Sequence, residues 1–313
     1  MGNSQRRADI SGGRFMNVMQ NLPVTVVGGY LGAGKTTLVN YLLRNANGLR
    51  LAVLVNEFGE LAIDKDLIEA EDDGLISISG GCVCCSFGGD LIAALQGLSQ
   101  MQPQPQHILI ESSGVAKPSS IFDSVALLDG FSADGIVVLA DAETVEENAN
   151  DKYMGDTILA QIMQADILLL NKCDLVEPND IYRTAQWLKS QNASAQLVKT
   201  RHSKAAPEVV LESFLGRTKI PETHYHVDQM TSVNLIPSTP LNAAKLAKTL
   251  AEEEIGLIRA KGFVTDLSGE KILIQIVGRR WTISAADPKF EDGMVCLGFK
   301  EHINPNRLEA LAP

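Results

Sequence analysis

The sequence predicts an α/β fold, in which helices cover both faces of a mostly parallel sheet, followed by a smaller α+β domain. Short apolar runs alternate with stretches that have helical spacing, and such alternation is typical of parallel βαβ units. The runs occupy residues 24–27, 51–56, 75–79, 106–110, 135–140, 166–170 and 196–199. A polar cluster follows each run. Because ligands bind at the carboxyl ends of the strands in such sheets, we expect these clusters to meet at one edge.

The first of these clusters is a phosphate-binding loop. Residues 29–36 have the spacing G-x-x-x-x-G-K-[ST] between an apolar run and a stretch with helical spacing. The glycines allow backbone amides to surround the β-phosphate, Lys35 reaches the β- and γ-phosphate oxygens, and the Thr36 hydroxyl is a suitable ligand for Mg²⁺. A glycine-rich turn that binds nothing is the alternative, but the motif and its context agree. We therefore predict a nucleoside triphosphate site.

A second cluster is predicted to read the base. Asn171, Lys172 and Asp174 match the guanine-reading pattern N-K-x-D at the end of the run 166–170. The carboxylate of Asp174 can accept protons from N1 and the 2-amino group of guanine, a pair of donors that adenine lacks. An ordinary polar turn is the alternative for so short a pattern. Its position after a buried run, downstream of a phosphate loop, favours GTP.

Residues 111–114 bring a carboxylate and a glycine to the expected position of the phosphates. Glu111 follows the run 106–110, where P-loop proteins keep a carboxylate close to Mg²⁺, and the amide of Gly114 can meet the γ-phosphate. Lys35, Thr36 and Glu111 are therefore the predicted catalytic residues. The sequence places no glutamine to orient the attacking water, which predicts slow intrinsic hydrolysis of GTP.

Glu57 and Glu60 lie in an acidic loop after the run 51–56. In P-loop proteins the segment after the first helix approaches the γ-phosphate and Mg²⁺, and its order changes with the nucleotide state. A solvated acidic face is the alternative. We predict a switch loop whose glutamates stand near the metal ion.

Cys82, Cys84 and Cys85 are too close together to form a disulfide framework, and they indicate metal or redox chemistry in a reducing compartment. Residues i and i+2 of an extended segment face one side, so the first two cysteines can chelate one ion while the third points away or completes a third position. Thiolates favour soft or borderline ions such as Zn²⁺ and Co²⁺. Cys173 and Cys296 are not obvious fourth ligands, so the site keeps an open position. Small buried core cysteines are the alternative.

The remaining composition excludes several classes of protein. The chain has 313 residues and a net charge of −11, which argues against nucleic acid as a partner. No apolar run approaches the roughly 20 residues that span a bilayer, and no apolar segment follows the first basic residues. A cytoplasmic protein is expected. His224 and His226 have a spacing that permits a loading site, but surface histidines beside a linker are the favoured interpretation.

The domain organisation follows from proline content and changes of pattern. We expect a flexible leader at 1–20, a nucleotide-binding domain at 21–216, a proline-containing linker at 217–240 and a separable α+β docking domain at 241–313. The last range shows a helix over 242–254 and short strands over 257–264, 271–277, 280–284 and 294–298.

Five motifs in order, GGYLGAGKTT, VNEFGE, GGCVCC, ESSG and NKCD, resemble the CobW-like family of P-loop GTPases. The resemblance covers about Pro23 to Arg201 and, more loosely, the start of a small C-terminal domain at 257–263. It implies a GTPase metallochaperone that delivers zinc or cobalt to a client protein or an enzyme of the cobalamin pathway. Many relatives carry a His-rich stretch between the domains, and this chain does not.

The resemblance also implies roles for the matching residues. Thr36 would bind Mg²⁺, Glu57 and Glu60 would belong to the switch, and Glu111 would serve the Mg²⁺ and γ-phosphate region. The transferred ion would be held by Cys82, Cys84 and Cys85. Guanine would be read by Asn171, Lys172 and Asp174, and the phosphates would be held by Gly29, Gly32, Ala33, Gly34, Lys35, Thr36 and Thr37, with Gly114 at the γ-phosphate.

Two other functions stay open at this point. One is a regulatory GTPase whose thiols sense zinc or redox state, and the other is a nucleotide-binding module with buried cysteines. A client bound by the C-terminal domain is expected for the carrier, and a homodimer is left open. If the thiols and the phosphates share one sheet edge, Mg·GTP should tighten metal binding at Cys82 and Cys84.

Overall fold

The structure, a computed structural model, describes residues 21–46, 48–55, 68–72, 75–78, 82–86, 90–211, 230–252 and 255–311. Between residues 68 and 86 the description covers the backbone. The predicted switch glutamates Glu57 and Glu60, and the histidines His224 and His226, lie outside the described residues. Within these ranges no helix is long and apolar enough to cross a membrane.

The first sheet contains nine strands among the described residues, in the order β3-β4-β5-β2-β6-β1-β7-β8-β9. Their bounds are β1 Leu22–Gly29, β2 Leu51–Val55, β3 Ile68–Asp72, β4 Leu75–Ile78, β5 Cys82–Ser86, β6 His107–Glu111, β7 Phe131–Asp141, β8 Ile167–Asn171 and β9 Gln196–Lys199. All strands from β5 to β9 in this order are parallel, and β3 and β4 add an antiparallel edge.

Helices cover both faces of this sheet, as predicted. They are α1 Lys35–Arg44, α2 Leu91–Gln100, α3 Pro118–Ala126, α4 Val145–Ala149, α5 Gly155–Gln164, α6 Pro178–Gln191 and α7 Pro207–Val210. Neighbouring residues of β1 show the two layers, since Val27 packs with Leu38 and Leu42 of α1, whereas Val26 packs with Ile158 of α5. Both faces are buried because successive strand residues point to opposite sides.

The second sheet is antiparallel, in the order β10-β14-β11-β12-β13. Its elements are β10 Met230–Leu235, α8 Ala243–Glu252, β11 Leu257–Thr265, β12 Lys271–Val277, β13 Arg280–Ala285, β14 Gly293–Phe299 and α9 Pro305–Leu311. Leu246 and Leu250 of α8 pack against Ile274 and Ile276 on one face. β10 falls inside the range 217–240 that the sequence predicted as linker. That prediction placed the start of the second sheet too late, because the strand's alternation is weak and a proline follows it at Pro237.

The cysteines Cys82, Cys84 and Cys85 lie in the strand β5. β4 runs antiparallel to β5, with Ile78 opposite Cys82, while β5 runs parallel to β2. Three residues separate β4 from β5, and a parallel crossover needs a dozen or more, so a tight connection forces the strand to reverse. Cys82 therefore begins β5 at the amino ends of the parallel strands, away from the phosphate loop. Ser86 ends β5 level with Val55.

The two sheets share one hydrophobic core. Ile258, Val277 and Leu297 of the second sheet belong to the same cluster as Leu139 and Leu169 of the first. The backbones come close, because a Cβ on Gly278 would lie 2.6 Å from the carbonyl oxygen of Asp166. Removing the second domain would expose this apolar surface of the first, and whether the second domain is separable stays a prediction.

A buried ion pair joins the sheets at the amino ends of the parallel strands. The Arg259 guanidinium of β11 donates to Asp134 Oδ2 of β7 at 2.7 Å and to the carbonyl oxygens of Val209 and Val210 at 2.7 and 2.9 Å. Burial opposes ionisation of Asp134, but the positive charge of Arg259, with the hydrogen bonds that the carboxylate accepts, holds its pKa below the ordinary value. A second pair lies nearby, with Arg280 Nε 3.1 Å from Asp166 Oδ1.

Thr25 and His107 extend this network under the first sheet. Thr25 Oγ1 lies 2.9 Å from Asp134 Oδ2 and 2.9 Å from His107 Nε2. Burial lowers the pKa of His107 to about 3, so the ring is neutral in the folded protein at ordinary pH.

Candidate nucleotide-binding site

The phosphate loop joins β1 to α1, as its motif predicts. Gly29, Gly32 and Gly34 have φ values of 132°, 76° and 103°, a region that residues with a side chain rarely adopt. Gly34 also has no room for a side chain, because a Cβ would lie 2.4 Å from Ser203 Oγ. The loop therefore leads directly into the amino end of α1, the arrangement that binds phosphate.

Lys35, Thr36 and Glu111 are brought together beneath this loop. The Thr36 hydroxyl donates to Glu111 Oε1 at 2.8 Å, and Lys35 Nζ donates to the Tyr30 carbonyl oxygen at 3.3 Å. Burial lowers the pKa of Lys35, and the nearby Glu111 charge opposes that shift. Burial raises the pKa of Glu111, while the Thr36 hydrogen bond and Lys35 oppose the shift. The site thus holds two charged groups that lack much solvent.

Two buried polar atoms beside the loop have no hydrogen-bond partner among the described residues. They are Glu111 Oε2 and Ser112 Oγ. Buried oxygen atoms without partners are costly, so each is a reason to look for a ligand. The carboxylate and the Thr36 hydroxyl are hard oxygen donors of the kind that Mg²⁺ takes. The residues present therefore fit the magnesium ion that the sequence predicts.

The loop after β6 lies against the phosphate loop. A Cβ on Gly114 would stand 2.9 Å from the Leu31 backbone nitrogen, so the close approach needs glycine. Gln161 of α5, almost fully buried, donates to the carbonyl oxygens of Gly114 and Ala116 at 3.0 and 2.8 Å. This glutamine fixes the loop that carries Gly114. Sequence reasoning missed it, although a polar residue between Ile158 and Ile162 on the apolar side of a helix was a signal.

The base-reading loop is tied directly to the phosphate loop. Asn171 Nδ2 donates to the Ala33 carbonyl oxygen at 2.9 Å and to Ser203 Oγ at 2.7 Å. Asn171 Oδ1 accepts from the Ser203 backbone nitrogen at 2.8 Å, and Ser203 Oγ donates to the Gly34 carbonyl oxygen at 3.0 Å. Ser203 is a site residue that the sequence did not assign, and its φ of 55° shows how tightly the turn is held.

The other two residues of the base-reading pattern have ionisable side chains beside them. Lys172 Nζ forms an ion pair with Asp141 Oδ2 at 2.5 Å, and its φ of 62° sets the turn between strand and loop. Asp174 Oδ2 lies 3.5 Å from His202 Nδ1, an exposed side chain. The carboxylate is therefore on the accessible side of the loop, where a base can meet it. Cys173 is buried and donates to the Leu170 carbonyl oxygen, so it serves the loop and not a metal.

The thiol segment lies three strands from the phosphate loop. In the described backbone β5 pairs with β2, β2 with β6, and β6 with β1. Among the residues whose side chains are described, no group of three or more His, Cys, Asp or Glu side chains is arranged to hold a metal ion. The side chains of Cys82, Cys84 and Cys85 lie outside that description, and so their ligation stays a prediction.

Because the loop predicted to read the base is bonded to the predicted phosphate loop, fold and site together indicate a P-loop GTPase. The family described as CobW/HypB/UreG, nucleotide-binding domain, matches residues 23–199, and the cobalamin synthesis protein cobW C-terminal domain matches residues 230–311. The chain belongs to the CobW/HypB/UreG family, and the resemblance inferred from the five motifs is confirmed.

Similar proteins include two curated relatives and one solved structure. The zinc chaperone CobW of Sinorhizobium sp. is 28% identical over 307 residues, covering 83% of this chain and 86% of the relative. The zinc-regulated GTPase metalloprotein activator 1 of Dictyostelium discoideum is 27% identical over 299 residues, covering 78% and 63%. The crystal structure of the Zn(II)-bound YjiA GTPase from E. coli is 25% identical, with a TM-score of 0.50, covering 94% and 98%.

Proposed function

We propose that the protein is a GTP-hydrolysing metal carrier that holds Zn²⁺ on Cys82, Cys84 and Cys85 and passes it to a client metalloprotein. The observation that carries the proposal is the position of β2. One side of this strand is hydrogen-bonded to β6, which ends in Glu111, and the other side to β5, which contains the cysteines. One strand thus lies between the phosphate-side carboxylate and the thiols. The relatives' names, zinc chaperone and zinc-regulated GTPase, support zinc as the cargo.

β2 also leads into the predicted switch. Its last residue, Val55, is level with Glu111 on one side and with Ser86 on the other, and Glu57 and Glu60 follow it in sequence. If the predicted switch loop rearranged when the γ-phosphate is lost, the change would reach β2. β2 is hydrogen-bonded to β5, the strand that contains the cysteines. This route replaces the single sheet edge that the sequence suggested, and it keeps the expectation that nucleotide and metal affinities are coupled.

The nucleotide chemistry is assigned to a few side chains. Lys35 and the loop amides would hold the β- and γ-phosphates, and Asp174 would select guanine. Thr36 and Glu111 would hold Mg²⁺, which when bound neutralises phosphate charge. Arrival of a polyanion beside Lys35 would favour its protonated form and so offset the burial that lowers its pKa.

Three further features complete the proposal. Co²⁺ suits the same thiolates, so it is a competing cargo. A cytoplasmic location follows from the need to keep three neighbouring thiols reduced. The client is proposed to dock on the second sheet, because every predicted phosphate and metal residue lies in the first.

The test is a zinc titration of anaerobically reduced protein in the apo, Mg·GDP and Mg·GTP forms. We expect tighter zinc binding with Mg·GTP, and by linkage zinc must tighten GTP binding by the same factor. Replacing Cys82 and Cys84 with serine should abolish zinc binding and the coupling, while GTP binding stays. Cys296→Ala is the matched control, because burial raises the pKa of that thiol to about 12 and keeps it out of metal chemistry. Equal zinc affinity in all three forms would contradict the carrier and leave a static thiol site.

A further inference from the structure

β13 is an edge strand whose second half lacks the usual protection against pairing. Among the described residues no strand pairs with its outer side. The segment Thr282–Ala285 is exposed, with Ile283 40% accessible, and it contains no proline or charge. Natural proteins generally shield such edges with charges, proline or bulges, since unpaired amides and carbonyls invite another strand. The opposite edge, β10, is mostly half-buried.

A groove of about 720 Å³ runs beside this edge, on the face of the second sheet away from α8. Its floor includes Lys261, Phe263 and Gln275, which alternate with the residues that face α8. Its other wall is Phe122 of α3 and the start of β7. The groove therefore lies between the two sheets, and a strand added to β13 would extend the second sheet along it.

The lining of the groove contains more cations than carboxylates, in a chain whose net charge is −11. Its lining contains the cations Lys261, Arg280 and Lys289 and the carboxylate Asp287. Arg280 is engaged with Asp166 and lies over the Phe122 ring at 4.1 Å. The pair between Lys289 and Asp287, at 2.9 Å, is exposed and costs little to exchange for another carboxylate. Phe263 and Phe290, stacked at 4.2 Å, add apolar contact surface.

We propose that the β13 edge and this groove form the docking site for an extended acidic segment of a partner protein, which adds to the second sheet as a further strand. Main-chain hydrogen bonds to β13 would supply affinity, and alternate side chains would enter the groove, with a carboxylate toward Lys289. A second copy of the chain fits less well, because its β13 would bring the same excess of cations. The inference rests on the proposed carrier function, since a carrier must dock on its client.

The probe is a fluorescent peptide of alternating glutamate and valine, as long as β13. Two control peptides accompany it, one with lysine for glutamate and one methylated on alternate backbone nitrogens. We expect the acidic peptide to bind the full chain and to protect β13 amides from hydrogen exchange, and neither control to do so. Lys289→Glu should weaken binding about tenfold. Lys300→Glu, an exposed change of equal charge just beyond β14, should leave it within about twofold.

Each other outcome overturns the proposal. Failure of the acidic peptide to bind below about 1 mM, or equal binding of the methylated peptide, removes strand addition. Equal effects of the two lysine substitutions remove the groove. A dimer in sedimentation that the peptide dissociates makes the second copy the occupant. Zinc and GTP titrations on the same unaltered preparation separate a failed docking site from a failed carrier function.

Discussion

Buried polar side chains lie beside both ends of β1, and the two sets differ in whether their hydrogen-bonding atoms have partners. At the carboxyl end, Glu111 Oε2 and Ser112 Oγ have no partner among the described residues. At the amino end, Asp134 accepts from Thr25 and Arg259, and Arg259 also donates to two carbonyl oxygens. Both ends are buried, so burial alone does not distinguish them. We call the carboxyl end of β1 the open end, because buried polar atoms there lack described partners and can bind a ligand. We call the amino end the closed end, because its buried polar atoms are paired with one another and join the two sheets.

The largest expected effect comes from breaking the buried ion pair at the amino end of β1. Asp134→Ala leaves the Arg259 charge buried without its carboxylate, and we expect a loss of about 3–5 kcal/mol in the free energy of unfolding. Asp292→Ala, which removes the partly exposed pair with Lys271, should cost less. Urea unfolding followed by Trp187 in the first domain and Trp281 in the second checks both values. An unchanged midpoint in Asp134→Ala would show that the pair does not hold the sheets together.

His107 should make the closed end sensitive to acid. Its pKa falls from 6.5 to about 3 on folding, so the unfolded chain binds more protons between these values and stability drops as the pH falls through that window. From pH 6.5 to pH 5 the loss is about 2 kcal/mol. His107→Gln should remove this part of the pH dependence in denaturant unfolding. A slope that is the same in both proteins would mean that the ring is not held neutral.

The open end should discriminate between bases. Asp174→Asn replaces an acceptor by a mixed donor and acceptor, so GTP should lose about 1–3 kcal/mol of binding free energy and xanthosine triphosphate should gain. Competition of GTP, XTP and ATP against a fluorescent guanine nucleotide measures this. In the unaltered protein ATP should not compete, and equal competition by ATP and GTP would refute the assignment of Asp174.

The smallest effect should be a gain in stability at the open end. Burial raises the pKa of Glu111, so its charged form costs stability, and that cost grows as the pH rises from the unfolded to the folded pKa. Glu111→Gln removes the cost, and we expect a higher melting temperature without nucleotide, more so at pH 8 than at pH 5. GTP hydrolysis should fall. A variant that is less stable than the unaltered protein at both values would mean that the carboxylate is a structural partner of Thr36.

Many residues of the open end could be predicted because they belong to short contiguous sequence motifs. The spacing from Gly29 to Thr36 and the pattern at Asn171 each specify a turn after a strand, and the structure brings both to one edge. Ser203 was harder to find. It follows a weak strand and acts through one backbone nitrogen and one hydroxyl, which no local pattern announces.

The buried network at the closed end could not be predicted from the sequence. Its residues lie on separate strands, and the packing of the two sheets decides which of them pair. Arg259 and Lys261 did carry a signal, since charges inside an apolar strand are rarely buried without partners. The direction of β4 was missed for another reason. Apolar runs give the position of a strand and not its direction, and the short connection from Ile78 to Cys82 was the only feature that could have indicated an antiparallel neighbour.

Asn171 has a consequence for the lifetime of the bound nucleotide. Its side chain joins Ala33 in one loop to Ser203 in the other by hydrogen bonds, so a shift of one loop would disturb the other. A nucleotide held at its base and its phosphates by two linked loops would lose one set of contacts less readily while the other set stays in place. We therefore expect the Asn171 amide to slow release of the bound nucleotide and so to lengthen its residence time.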